Sequence, residues 1–219
     1  MIPARTRFTP SELKVVSACT TPFKTQRFLN SLPYNSEVDQ ETLPTFRGVE
    51  NHKTALSLEA AHSAAVILEQ YRFPPLLLDL ESQDGFDHVL FLYQKNGKWG
   101  TVGRSRDPGL HGRKPVFGNL RALVQSYAAP FVDFSGRIIG FGVYDLADLP
   151  RHDWRFSTRS VWCVERALIA MPHQRFRMPE QEYRKWYERY VSYKARYPGR
   201  KPLYYDGRNT WTSGYARLS

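Results

Sequence analysis

The clearest pattern in the N-terminal half is helical and covers residues 54–70. Their central run, SLEAAHSAAVILEQ, is rich in alanine and leucine, and Asn51 or Thr54 can cap the helix that this composition predicts. Ser57 lies near the N-terminus of that helix. Steps of three and four residues join it to a stripe of small side chains, which allows close approach to a neighbouring element.

Other helices are predicted on both sides of this one. Residues 21–32 carry apolar side chains at helical spacing, and Pro33 ends the helix. Residues 34–51 are polar and contain a proline and a glycine, so we expect a long loop there. The remaining predicted helices cover residues 11–17, 119–127, 161–169 and 179–196.

Strand-like segments follow the central helix. They are short apolar runs at residues 76–82, 88–94, 99–105 and 137–144. Asn96-Gly97 stands between two of these runs and is a strong signal for a β-hairpin. We therefore predict helices packed on an antiparallel sheet, which is an α+β fold.

The hairpin turn also predicts a register. A two-residue loop pairs Lys95 with Lys98 and brings His88 opposite Ser105, on the same face of the sheet. Asp107 takes the diagonal position on that face if the strand continues. A bulge would shift the register by one residue and turn Ser105 away.

The composition narrows the class of protein. A chain of 219 residues with 42% hydrophobic residues is long and apolar enough for one packed domain, with or without an appendage. No apolar run is long enough to cross a membrane, and the first residues lack the apolar stretch of a signal peptide. Only two cysteines are present, Cys19 and Cys163, so a reducing cytoplasm is the expected compartment.

The net charge of +10 lies almost entirely in the last third of the chain. Residues 1–150 contain 16 basic and 15 acidic residues, whereas residues 151–219 contain 15 basic and 6 acidic ones. The aromatic residues of the last predicted helix recur at spacings of three and four, which favours packing over a nucleic-acid surface. We therefore predict a core at 1–150 and a basic, aromatic-rich helical extension at 151–219 packed on it. Residues 175–208 are a candidate surface for an acidic partner.

A hydroxyl at a helix N-terminus, next to a hairpin that presents a histidine, supplies the parts of a nucleophilic acyl-transfer site. The free N–H groups at the helix start favour negative charge, the histidine acts as base and then acid, and a third group fixes its tautomer. Ser57, His88 and either Ser105 or Asp107 are the candidates for these roles. A structural or surface histidine is the alternative interpretation of His88.

With these residues the chain resembles the bacterial transglutaminase-like proteins, which are related to papain-like hydrolases. The stretches that carry the resemblance are RFLNSLPYNSE, ETLPTFRGVENHKTALSLEAAHSAAVILE, PPLLLDLES, FDHVLFLYQKNGKWGTVGRS and KPVFGNLRALVQSY, within about residues 25–150. The resemblance implies a transglutaminase-like fold, with a nucleophile helix packed on an antiparallel sheet. It places the nucleophile at position 57 and the histidine at position 88.

The chain departs from the family at two of these positions. Ser57 stands where the family has cysteine, and Ser105 lies at or near the position of an aspartate or asparagine, with Asp107 the nearest carboxylate. Tyr34 or Asn35 could supply an oxyanion donor, and turn formation is their alternative role.

Three explanations of the serine at position 57 stay open. It can be a deliberate Cys-to-Ser substitution, a natural pseudoenzyme kept for binding, or a natural Ser–His hydrolase, which needs a well-oriented base.

The implied function is cleavage or transfer at an amide, peptide or thioester carbonyl, inactive or attenuated with serine at position 57. The enzyme class is a cysteine-type peptidase, amidase or acyltransferase, acting on a peptide, protein or small amide or thioester substrate. No cofactor is required, and the histidines share no metal-ligand spacing with the cysteines. The alternatives are a non-catalytic module that binds through the same cleft, and binding of an acidic partner or nucleic acid through the C-terminal third.

Overall fold

The protein is seen here as a computed structural model, which describes residues 2–34, 43–105, 107–149, 153–158, 160–198 and 218. Within these ranges it is an α+β structure with seven α-helices and a five-stranded antiparallel sheet. The helices are α1 (Pro10–Ala18), α2 (Pro22–Ser31), α3 (Phe46–His52), α4 (Ser57–Glu69), α5 (Leu120–Phe131), α6 (Trp162–Ala170) and α7 (Glu180–Arg196). The strands are β1 (Leu76–Ser82), β2 (His88–Lys95), β3 (Lys98–Val102), β4 (Ile138–Asp145) and β5 (Gln174–Arg175).

The strand order is β3-β2-β1-β4-β5. Asn96 and Gly97 have φ angles of 51° and 71°, the left-handed conformation that a tight two-residue hairpin turn requires. Lys95 accordingly pairs with Lys98, which confirms the predicted register of the hairpin.

The third strand is shorter than predicted. Its ladder with β2 ends at the pair Phe91–Val102, so it does not extend to Ser105. Gln26 of α2 takes over the next backbone groups: its Nε2 donates to the Gly103 carbonyl oxygen at 2.8 Å, and its Oε1 accepts from the Gly103 N–H at 3.0 Å. The chain therefore leaves the sheet where a helix side chain replaces the neighbouring strand.

Alternation along the strands places two apolar clusters on opposite faces of the sheet. The α4 face carries Leu77 of β1 and Val89 and Phe91 of β2, which pack with α2, α3 and α4. The α5 face carries Leu80 and Leu90, which pack with α5.

The polar segment before α4 is not a loop throughout, which corrects the expectation for residues 34–51. It contains α3, whose Phe46 and Val49 lie three residues apart and are fully buried. Apolar side chains are few and widely spaced among the polar residues of this stretch, so their helical spacing was a weak signal in the sequence.

Helix α4 begins later than predicted, at Ser57. Neither Asn51 nor Thr54 caps it; instead the Glu59 carboxylate accepts a hydrogen bond from the Leu56 N–H at 2.7 Å. The Ala55 N–H donates to the Pro33 carbonyl oxygen at 3.3 Å, which keeps the residues before the helix extended.

The region after residue 151 contributes a strand to the sheet and aromatic side chains to the cluster on the α5 face. Strand β5 adds to β4 at the edge of the sheet, and Tyr190 of α7 is fully buried. Tyr183, Trp186 and Tyr187 pack against the α5-face cluster. Residues 199–217 of the predicted extension lie outside the described residues. In the described ranges no helix is long and apolar enough to cross a membrane.

Candidate functional site

Ser57 is the first residue of α4 and is half-buried. Phe73 follows the last residue of α4 by four positions, and its ring packs edge-on against that of Tyr93, with centroids 6.0 Å apart. Tyr93 is near the end of β2, so the C-terminal end of α4 lies close to that end of the strand. The N-terminal end of α4 therefore points towards the start of β2, where His88 lies.

The side chain of His88 nevertheless points to the α5 face. His88 pairs with Leu80 in an unbroken β1–β2 register, and side chains two residues apart share a face, so His88 lies with Leu90. The His88 Nε2–H donates to the Leu110 carbonyl oxygen at 2.8 Å. Its ring also packs edge-on against Tyr127 of α5, with centroids 6.4 Å apart.

Ser57 and His88 are therefore not brought together. Helix α4 packs on one face of the sheet and the imidazole projects from the other. Over the residues that the structure describes, no hydrogen bond joins the two side chains. Their catalytic roles stay predictions.

The surroundings of His88 favour its neutral form. Burial lowers the pKa of His88 to about 4, assisted by the positive potential of His111 and Arg113, and only the Leu110 carbonyl acts in the other direction. At neutral pH the proton on Nε2 is held by Leu110. A histidine with such a pKa is a weak general base.

Ser105 and Asp107 form hydrogen bonds within their own loop and none with His88 in the described ranges, and their orienting role stays a prediction. The Asp107 N–H donates to Ser105 Oγ at 3.2 Å, and Asp107 Oδ1 accepts from the Gly109 N–H at 2.7 Å. These bonds form the N-terminal cap of a 3-10 turn at Pro108–Leu110. The turn presents the Leu110 carbonyl to His88, so a backbone oxygen is the group that fixes the tautomer.

Arg113 lies beside His88 and Tyr127 in a buried polar cluster on the α5 face. Its role there was not predicted. It is fully buried, and its guanidinium donates to the carbonyl oxygens of Gly109 and His111 at 2.6 Å each. It lies 4.0 Å above the ring of Tyr127 and also bonds to Ser126. No pattern near Arg113 in the sequence indicates burial, because its hydrogen-bond partners are mainly backbone carbonyls.

The α4 face has a different polar pair, Asp79 and His173. The His173 Nε2–H donates to Asp79 Oδ2 at 3.1 Å. Gly142 lies beside Asp79 on β4, and a Cβ there would come within 3.2 Å of His173, so glycine permits the approach. Burial raises the pKa of Asp79 to about 6. The sequence signal for this pair was an aspartate inside the apolar run LLLDLES, because a carboxylate buried in a strand needs a polar partner.

The candidate oxyanion donors precede α4. Tyr34 forms a parallel bridge with Ala55, two residues before Ser57, so the chain at Tyr34 lies next to the start of α4. Asn35 lies outside the described residues. The role of either residue as an oxyanion donor stays a prediction.

In the part of the chain that the structure describes, no group of three or more His, Cys, Asp or Glu side chains is arranged to hold a metal ion. No protein-family model matches the chain, and no curated protein matches it in sequence.

Proposed function

We propose that this protein is transglutaminase-like in descent and acts as a binding module, without acyl-transfer activity. The motifs within residues 25–150 support the descent, and a helix packed on an antiparallel sheet, with Ser57 at its N-terminus, is compatible with it. The observation that carries the absence of acyl-transfer activity is the direction of His88.

Acyl transfer requires a base within hydrogen-bonding reach of the nucleophile. A serine hydroxyl depends on that base more than a thiol does, because it is far less ionised at neutral pH. His88 projects from the α5 face and its Nε2–H is bonded to Leu110, so it does not serve Ser57.

The histidine on α4 itself does not replace it. The His62 Nε2–H donates to the Trp154 carbonyl oxygen at 2.7 Å, and burial lowers the pKa of His62 to about 4. Five residues along a helix is about 140° of rotation, which also turns His62 away from the direction of Ser57. The ligand implied by the resemblance is a peptide or protein bound without covalent chemistry.

The test compares the Ser57→Cys variant with the Ser57→Cys/His88→Gln double variant. Both are treated briefly with iodoacetamide at neutral pH, and labelling at each cysteine is followed by mass spectrometry. Because glutamine can still donate to Leu110 but cannot act as a base, the pair isolates the effect of the imidazole on the new thiol. Cys163 serves as the half-buried internal standard.

We expect the labelling rate at position 57 to be the same in the two variants. A helix N-terminus can raise the reactivity of the new thiol by itself, so a fast rate alone does not support catalysis. A rate that falls about tenfold or more when His88 is replaced, in a folded protein, would show that the imidazole activates position 57 and would overturn the proposal.

A further inference from the structure

A groove of about 780 Å³ lies between α1 and α2 and reaches the end of α3. Val15, Ala18 and Phe28 give it an apolar lining. Cys19 also lines it, and burial raises the pKa of this thiol to about 11. The thiol is therefore protonated at neutral pH and offers a contact surface, not a nucleophile.

Cations surround this lining and outnumber the carboxylates. The lining includes four basic side chains and one acidic one, and they are Lys14, Lys24, Arg27, Lys53 and Glu50. Lys53 forms an ion pair with Glu50, which leaves three positive charges without a carboxylate partner in the groove.

These three cations form few hydrogen bonds and no ion pair within the described ranges. Lys14 and Arg27 are exposed and make no hydrogen bond or ion pair with any residue in the described ranges. Within the same described ranges, Lys24 Nζ donates only to the Thr20 hydroxyl, at 3.2 Å. The first turn of α2 contains no acidic residue, so the positive end of the α2 dipole adds to the same potential.

A second pocket lies beside α6, and two of its arginine side chains already have partners within the protein. It is also rich in arginine, but Arg47 already donates to Glu12 at 2.9 Å, to the Phe156 carbonyl at 3.2 Å and to the Arg7 carbonyl at 2.8 Å. Arg7 in turn forms an ion pair with Asp153. Two of the arginines that line this pocket are therefore used within the fold.

We propose that the groove between α1 and α2 binds an acidic peptide segment that carries apolar side chains. Carboxylates of the segment pair with Lys14, Lys24 and Arg27, while its apolar side chains cover Val15 and Phe28. Among the described residues Phe28 is the one aromatic side chain in the lining, whereas sites for single-stranded nucleic acid typically stack successive bases on several aromatic side chains. The inference goes beyond the proposed function, because the groove is separate from the Ser57 position and either can fail alone.

The experiment measures binding by fluorescence anisotropy with the full chain. The probe is a short, fluorescein-labelled, glutamate-rich peptide that contains leucines, and its partner probe has serine at each leucine position. The variant is Lys14→Glu/Arg27→Glu. The matched control is Lys95→Glu/Lys98→Glu, which makes the same change of charge at exposed positions of the β2–β3 hairpin.

We expect the leucine probe to bind more tightly than the serine probe, with an affinity that falls as salt is added. Lys14→Glu/Arg27→Glu should weaken binding about tenfold or more, whereas the hairpin variant should change it less than about threefold. Circular dichroism checks that both variants are folded.

Several results would overturn the inference. One is the absence of binding to the leucine probe. Another is equal weakening by the two charge reversals, because that indicates a non-specific effect of net charge. Tighter binding to a single-stranded DNA of similar length, or to anionic lipid vesicles, would assign the groove to a different class of partner.

Discussion

The two faces of the sheet use buried polar side chains in different ways. On the α5 face, His88 and Arg113 donate to carbonyl oxygens of one loop and join it to the sheet and to Tyr127. On the α4 side, Asp79 Oδ1 and His62 Nδ1 are buried and have no hydrogen-bond partner in the described ranges. The first face therefore gains stability from its polar cluster, whereas the second accepts a cost of about 1–3 kcal/mol for each unpaired group.

This contrast changes the interpretation of the conspicuous histidine. His88 stands at the start of a strand that runs past the N-terminal end of α4, which is where a catalytic base would be expected. Because it projects from the α5 face, it stabilises the 3-10 turn through Leu110. A strand histidine near a helix N-terminus is thus evidence of a catalytic pair only when its side chain projects from the face of the sheet on which that helix packs.

The largest effect is expected from the α5 face, by Arg113→Met. The change leaves the carbonyl oxygens of Gly109 and His111 without their donor in a buried position. We expect the free energy of unfolding to fall by about 3 kcal/mol or more. Arg166→Met, at an exposed position of α6, is the control and should cost less than about 0.5 kcal/mol. Urea denaturation measures both, and similar losses would contradict the structural role of Arg113.

A smaller effect, present on both faces, is acid sensitivity. The pKa values of His62 and His88 are lowered from 6.5 to about 4 by burial. Their contribution to stability is fully present above pH 6.5 and is lost as the pH falls towards 4, because the unfolded state binds the protons first.

The corresponding experiment is urea denaturation at neutral pH and at about pH 4.5. We expect the loss of stability on acidification to be smaller in His88→Gln by about 2 kcal/mol, and similarly smaller in His62→Gln. If the loss is unchanged in His88→Gln, the imidazole is not held neutral by the fold.

An effect of similar size should come from Asp79→Asn on the α4 face. The pKa of Asp79 is raised from 3.8 to about 6, so its contribution is fully present below pH 3.8 and is lost as the pH rises through 6. Asparagine does not titrate and can still accept from His173. We therefore expect the stability of the variant relative to the wild type to rise by about 2 kcal/mol between pH 4 and pH 7.5. A relative stability that falls over this range would show that the aspartate is stabilised in its charged form.

Signals carried by a few adjacent residues were sufficient for many of the elements. Leu76–Ser82 is an apolar run bounded by turn residues, and it forms β1 over the predicted range. Asn96-Gly97 adopts the positive φ angles of a tight turn, which fixed the register between β2 and β3. The aromatic residues of α7 recur at helical spacing and pack on the α5-face cluster. In each case the determining chemistry lies within a few residues, so the sequence alone determined the outcome.

Contacts between distant residues decided the rest. Gln26 and Gly103 are 77 residues apart, and their hydrogen bonds coincide with the end of β3 before it reaches Ser105. The alternation of strand side chains shows which of them share a face, but not which face a helix will cover. That choice depends on the path of the chain from α4 into β1 and on the packing of α5, and it placed α4 on the face that His88 does not share. The sequence by itself determined most of the helices and strands and the hairpin turn, whereas only the tertiary structure decided whether the candidate catalytic residues meet.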